Sequence, residues 1–139
     1  MGIIKRKDGV EHIDTNIMVR LITRDDEKML KKVKKLFSHE EKLYVFEDTA
    51  TMELVYVLST STYHYTREVI AEKIKEVLKL ENLVCNKGLI EDALDLYVSH
   101  PKLSFVDCYL AAVTELSQEK PLWTLDHKLA AQCPVAQEL

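Results

Sequence analysis

The chain has 139 residues, of which 47% are hydrophobic and 30% charged, and its formal net charge is −4. That length suits one domain able to bury roughly two-thirds of its unfolded surface. The acidic balance excludes a generally basic, phosphate-coating surface, although not a local basic patch. Apolar runs of about half a dozen residues are too short to span a bilayer, and no signal-peptide core opens the chain, so a cytoplasmic protein is expected.

MGIIKRKDG (1–9) is charged and reads as a leader within a single domain covering 1–139. VEHID (10–14) is a candidate strand that hands Asp14 to a helix over 15–22. The next helix, 25–38, lines Leu30, Val33, Leu36 and Phe37 along one stripe and puts Lys28, Lys31, Lys32, Lys34 and Lys35 outside it. A solvated face is the plain reading of those lysines, and contact with a nucleic-acid backbone the sharper one. LYVFE (43–47) is the second strand, and its last residue Glu47 with the next, Asp48, is read as a solvated turn, with a place in a site as the alternative. Glu53 lies inside the apolar helix 50–62, in ATMELVYVL.

TSTYHYT, where Tyr63 and Tyr65 flank His64, leads to a helix over 66–80. Those aromatics suit local packing, or else base stacking or a dimer contact. LVC (83–85) is a third strand, helices follow at 88–99 and 104–118, and PLWTL (121–125) passes Asp126 to a helix over 126–132. PVAQ (134–137) is a weaker fifth strand. His127 reads as a surface residue. Cys85, Cys108 and Cys133 have no CxxC spacing and read as buried thiols. Strands alternating with helices imply an α/β fold, a three-layer α/β/α sandwich with a central, mainly parallel sheet and right-handed crossovers.

SFVDCYLAAV (104–113) raises the functional question, because Asp107 stands in a segment that otherwise wants to be buried. An isolated carboxylate loses more on leaving water than one hydrogen bond returns. Capping is the ordinary explanation: Asp is a favoured N-cap, acids in a first turn suit the helix dipole, and Ser104-x-x-Asp107 resembles a capping box. Yet Asp14 and Asp126 directly follow strands, and Glu53 and Asp107 sit near the starts of helices. An open parallel sheet collects such positions at its carboxyl edge. Four carboxylates there would repel by an amount on the order of several kcal/mol. A hard divalent cation, Mg2+ or Mn2+, would relieve this; no His or Cys spacing suits zinc. Carboxylates holding such a cation are equipment for phosphate-ester chemistry. No Walker A loop, GxGxxG, GxSxG or HExxH competes.

In these residues the chain resembles a PIN domain, specifically the VapC toxins of prokaryotic type II toxin–antitoxin systems. The matching pieces are DTNIMVRLITRDD (14–26), MELVYVL (52–58), SFVDCYLAAV (104–113) and LWTLD (122–126), in family order. The resemblance implies a metal-dependent endoribonuclease that uses a metal-activated water to leave a 5′-phosphate and a 3′-hydroxyl. It implies catalytic roles for Asp14, Glu53, Asp107 and Asp126, with Asn16 and Thr124 as supporting polar groups. Asp14 and Asp107 would be direct metal ligands and Asp126 would complete the shell. Glu53 would bind metal or orient the attacking water. It further implies an RNA substrate, a homodimer and silencing by a VapB-type antitoxin.

Two alternatives stand beside this. One is a PIN domain acting on DNA, or a catalytically silent one serving an assembly. The other is a receiver-like Mg2+-binding signalling domain, which the sequence fits poorly: Asp14 has no adjacent acid partner and LVC ends without an Asp.

Overall fold

The computed structural model describes residues 9–60 and 62–139. The expected leader therefore lies, apart from Gly9, outside the described residues. The chain forms two compact units, one comprising the chain up to Tyr65 together with Lys73–Cys85, the other Thr66–Glu72 with Asn86–Leu139.

The first unit contains β1 (Val10–His12), α1 (Thr15–Thr23), α2 (Glu27–Phe37), β2 (Leu43–Val45), α3 (Asp48–Ser59) and, after α4 (Arg67–Val77), β3 (Leu83–Val84). Its sheet has the order β1-β2-β3, and both pairings are parallel, with His12 opposite Val45 and Val45 opposite Val84. Parallel strands point their carboxyl ends to one edge, so β1 and β2 release α1 and α3 from the same side. Met18, Val19, Ile22, Val33, Leu54 and Leu58 are buried, while Leu30, Leu36 and Phe37 of the expected α2 stripe are half-buried. Tyr44 is fully enclosed, and its hydroxyl donates to the Leu36 carbonyl at 2.9 Å. That bond satisfies both the phenol and an end carbonyl of α2.

Two expected helices end earlier than the periodicity alone suggests. At the end of α3 the Thr60 hydroxyl donates to the Val57 carbonyl at 2.7 Å and the backbone turns extended. Beyond α4, Lys79 and Leu80 bond back three residues to Glu76 and Val77, tightening the last turn. The tyrosines of the α3–α4 connection pack locally. Their rings lie 6.0 Å apart, and the Lys73 ammonium stands 5.5 Å over the Tyr65 ring.

The second unit contains α5 (Lys87–Ser99), α6 (Phe105–Ser117), β4 (Leu122–Thr124), α7 (His127–Gln132) and β5 (Ala136–Glu138). Helices α5 and α6 pack on each other, and Ile90, Ala93, Leu94, Phe105, Cys108 and Ala112 on them are buried. Tyr97 meets Phe105 edge to face at 5.8 Å, and the Arg67 guanidinium lies 4.0 Å over the Tyr97 ring. Strands β4 and β5 pair in parallel, Leu122 with Ala136 and Thr124 with Glu138. The fifth strand begins later than expected because the chain first turns, with the Ala136 N–H bonded to the Cys133 carbonyl.

All seven expected helices and five expected strands are present among the described residues, and every strand pairing is parallel. The cysteine expectation holds for two of the three: Cys108 and Cys133 are buried and Cys85 half-buried, with no disulfide among them. No helix among the described residues is long and apolar enough to cross a membrane.

Candidate active site

Asp14 stands two residues beyond the end of β1, in extended conformation at the N-cap of α1. Its Oδ1 accepts from the backbone N–H groups of Asn16 at 3.1 Å and Ile17 at 3.4 Å. The cap uses one carboxylate oxygen and leaves Oδ2 outside these two bonds. Capping and cation binding are therefore compatible at this residue.

Thr15, the first residue of α1, is only 7% exposed. Its hydroxyl lies 2.7 Å from Glu53 Oε1 on α3 and 3.2 Å from the Ala50 carbonyl. The single proton favours the shorter, charge-assisted bond to the carboxylate. Thr15 thus ties α1 to α3 and holds Glu53 by one oxygen. Asp14, Thr15, Asn16, Val19, Glu53 and Val57 line a cavity of about 280 Å3. Its donors are carboxylate, hydroxyl and carboxamide groups, without His or Cys. That set fits Mg2+ or Mn2+ and would serve zinc poorly.

Asp14 also borders a second cavity, of about 590 Å3, with Glu11, His12, Leu36, Tyr44, Glu47 and Thr49 in its wall. Glu47 occupies the N-cap position of α3 without capping it, and pairs instead with His12 at 3.4 Å. The parallel register explains the meeting, because each residue lies at the carboxyl end of its strand, His12 on β1 and Glu47 after β2. Glu47 is exposed, as expected of a solvated turn residue, and also borders this cavity, whereas Asp48 takes the first-turn place that suits the dipole of α3.

In the second unit, Ser104 rather than Asp107 caps α6, its Oγ accepting from the Asp107 N–H at 3.1 Å. The Asp107 carboxylate is half-buried and accepts no hydrogen bond among the described residues. Its charge is felt by two thiols: burial first, then Cys133 and more weakly Asp107, push Cys108 up to about 11. Cys133 is raised by burial and then by Asp107. Asp126 caps α7, accepting from Lys128 N–H at 2.8 Å and Leu129 N–H at 3.4 Å through Oδ1. Its own N–H donates to Thr124 Oγ1 at 2.9 Å, so Thr124 fixes the turn that presents this acid. His127 is exposed and paired with Glu138 at 2.9 Å, in keeping with a surface role.

Of the residues singled out in the sequence, Asp14, Asn16 and Glu53 share one cavity in the first unit, and Asp126 and Thr124 share a hydrogen bond in the second. Asp107 belongs to the second unit as well. Among the described residues no group of three or more His, Cys, Asp or Glu side chains is arranged to hold a metal ion. Thr15 was missed in the sequence, where its only signal is its place between Asp14 and Asn16. A larger cavity in the second unit, about 560 Å3 with Leu96, Ala111, Leu116 and Val135 in its wall, includes neither Asp107 nor Asp126.

A family model described as PIN domain matches residues 12–133. No curated protein and no solved structure gives a significant match. The matched stretch runs from the strand that delivers Asp14 to just beyond the helix that Asp126 caps, across parallel strands and helices consistent with a three-layer α/β/α fold. On that match the chain belongs to the PIN domain family, whose fold is generally that of a nuclease.

Proposed function

We propose that this PIN domain is a Mg2+- or Mn2+-dependent endoribonuclease of the VapC toxin type, a single functional domain acting in the cytoplasm. The observation that carries the proposal is the oxygen-only cavity in which Asp14, Asn16 and Thr15-bound Glu53 stand together. The resemblance in the four motifs supports assigning Asp14, Asp107 and Asp126 as cation ligands. It also supports Glu53 as a ligand or water-orienting base, and Asn16 and Thr124 as supporting groups. A divalent cation on these acids would neutralise the phosphate, lower the pKa of water and stabilise the leaving oxygen. The chain's own contribution is positional. Backbone N–H groups hold one oxygen of Asp14 and of Asp126, a buried hydroxyl holds one oxygen of Glu53, and the second oxygen of each is left for chemistry.

The same resemblance supports a homodimer inhibited by a VapB-type antitoxin, and acidic side chains would attract the basic tail of such a partner. A dimeric mass in light scattering and co-purification with the product of an adjacent small reading frame are the expected findings.

The deciding experiment incubates fluorogenic RNA and a DNA of matching sequence with the protein under Mg2+, Mn2+, Zn2+ or excess chelator. RNA cleavage with Mg2+ or Mn2+, abolished by chelator, is expected. Full activity in excess chelator, or activation by Zn2+ alone, would overturn the metal assignment. Preferential cutting of the DNA would move the substrate, and no cutting of either would leave a silent assembly module.

A further inference from the structure

Helix α2 carries five lysines within the span 28–35, on a chain whose net charge is −4. Lys28, Lys31, Lys32 and Lys35 follow the i, i+3, i+4, i+7 pattern and so stand on one face, with Lys34 beside it. All five are exposed, and none forms an ion pair among the described residues. Stability alone does not explain the stripe. Like charges three and four residues apart on a helix repel, and Lys28, in the first turn, faces the positive end of the helix dipole. Solubility does not require it either, since the chain is already charged.

Leu36, which directly follows Lys35, lines the cavity that Asp14 and Glu47 border. No lysine among the described residues lines that cavity, since Leu36 belongs to the apolar stripe and the lysines stand outside it, but the row and the cavity lie in the same unit. Acids that would repel a phosphate chain thus share one unit with a row of cations able to hold it.

We infer that the Lys28–Lys31–Lys32–Lys35 stripe of α2 is the surface that takes the phosphate backbone of single-stranded RNA, in the unit that also carries Asp14. The inference rests on the nuclease reading for the identity of the polyanion. The recognition is of backbone charge and carries no base sequence.

The test is RNA binding in excess chelator, where cleavage plays no part. Affinity for a labelled single-stranded RNA is measured across a salt series for the wild type and for K28Q/K31Q/K32Q/K35Q. Each phosphate contact on a single strand contributes about 0.7 to the slope of log K against log salt, so losing four should flatten the slope by roughly 2.8. Gln is nearly as good a helix former as Lys, so the variant should melt at or slightly above the wild-type temperature. The corresponding four-fold Lys→Arg variant should keep the full slope. K75Q/K79Q/K102Q/K120Q, which removes the same charge elsewhere, should keep most of it. An unchanged slope in the α2 variant overturns the inference, and so does an equal loss in the scattered variant, which would reduce the effect to net charge. If the wild type binds RNA through this stripe yet cuts nothing with Mg2+ or Mn2+, the nuclease reading falls and the binding surface stands. If it cuts RNA while the α2 variant binds like the wild type, the reverse holds.

Discussion

Asp14 shows how a residue's structural and chemical roles can share one carboxylate. Its Oδ1 closes the N-terminus of α1, and that is all a cap needs. Asp14→Asn separates the roles, because Asn caps about as well as Asp. Stability should change by no more than a few tenths of a kcal/mol. RNA cleavage should be lost, and the rise in melting temperature produced by Mn2+ should shrink, since stabilisation by a ligand scales with its affinity for the native state. Thermal melts with and without Mn2+, run beside a cleavage assay, check both expectations. A variant cutting at the wild-type rate would leave Asp14 a cap alone. Asp107 poses the converse case. Its place in an apolar helix was legible as an anomaly, and the capping-box pattern formed by half: Ser104 Oγ accepts from the Asp107 N–H, while among the described residues no bond returns from the Asp107 carboxylate.

Among elements, α1 and α3 are the pair whose contact builds the candidate site. The link is Thr15, a buried hydroxyl on one helix bonded to a carboxylate on the other. Thr15→Val keeps the shape and deletes the donor, so stability should fall by about 1 kcal/mol, the net worth of such a bond. If the hydroxyl also orients Glu53, the rate of RNA cleavage should drop while RNA affinity measured in chelator is unchanged. Thr15→Ser should restore both rate and stability. A valine variant with the wild-type rate would confine Thr15 to packing. The elements themselves were legible in the sequence because periodicity is local: each helix needs only its own apolar stripe and each strand its short apolar run. Their ends were less so. Helix α3 starts two residues before the expected 50 because Glu47 and Asp48 open it, and it stops at Ser59 because Thr60 turns its hydroxyl back on the chain.

For the whole molecule, enclosed titratable groups set a limit at high pH. Burial holds the phenols of Tyr44 in the first unit and Tyr97 in the second above their ordinary value, and raises the Cys108 thiol further, to about 11. Each is neutral in the folded chain at a pH where the unfolded chain has begun to ionise. Their contribution is complete below the unfolded values and is lost as pH rises through the folded ones. Denaturant midpoints should therefore fall progressively above about pH 9, and Phe substituted at Tyr97 should lessen the slope; a midpoint flat from pH 8 to 11 would contradict this. The sequence by itself determined the α/β class, the order of strands and helices, and which acids follow strands. All of these follow from periodicity and from the turn chemistry of neighbouring residues. Only the tertiary structure decided that Asp14 shares a cavity with Glu53, that Glu47 meets His12 across a parallel register, and that Leu36 of α2 lines a cavity bordered by Asp14. The reason is physical: these groups stand 30 or more residues apart, or on different elements. Their approach is set by how helices and strands pack, a sum of many weak contacts that no single stretch of sequence encodes.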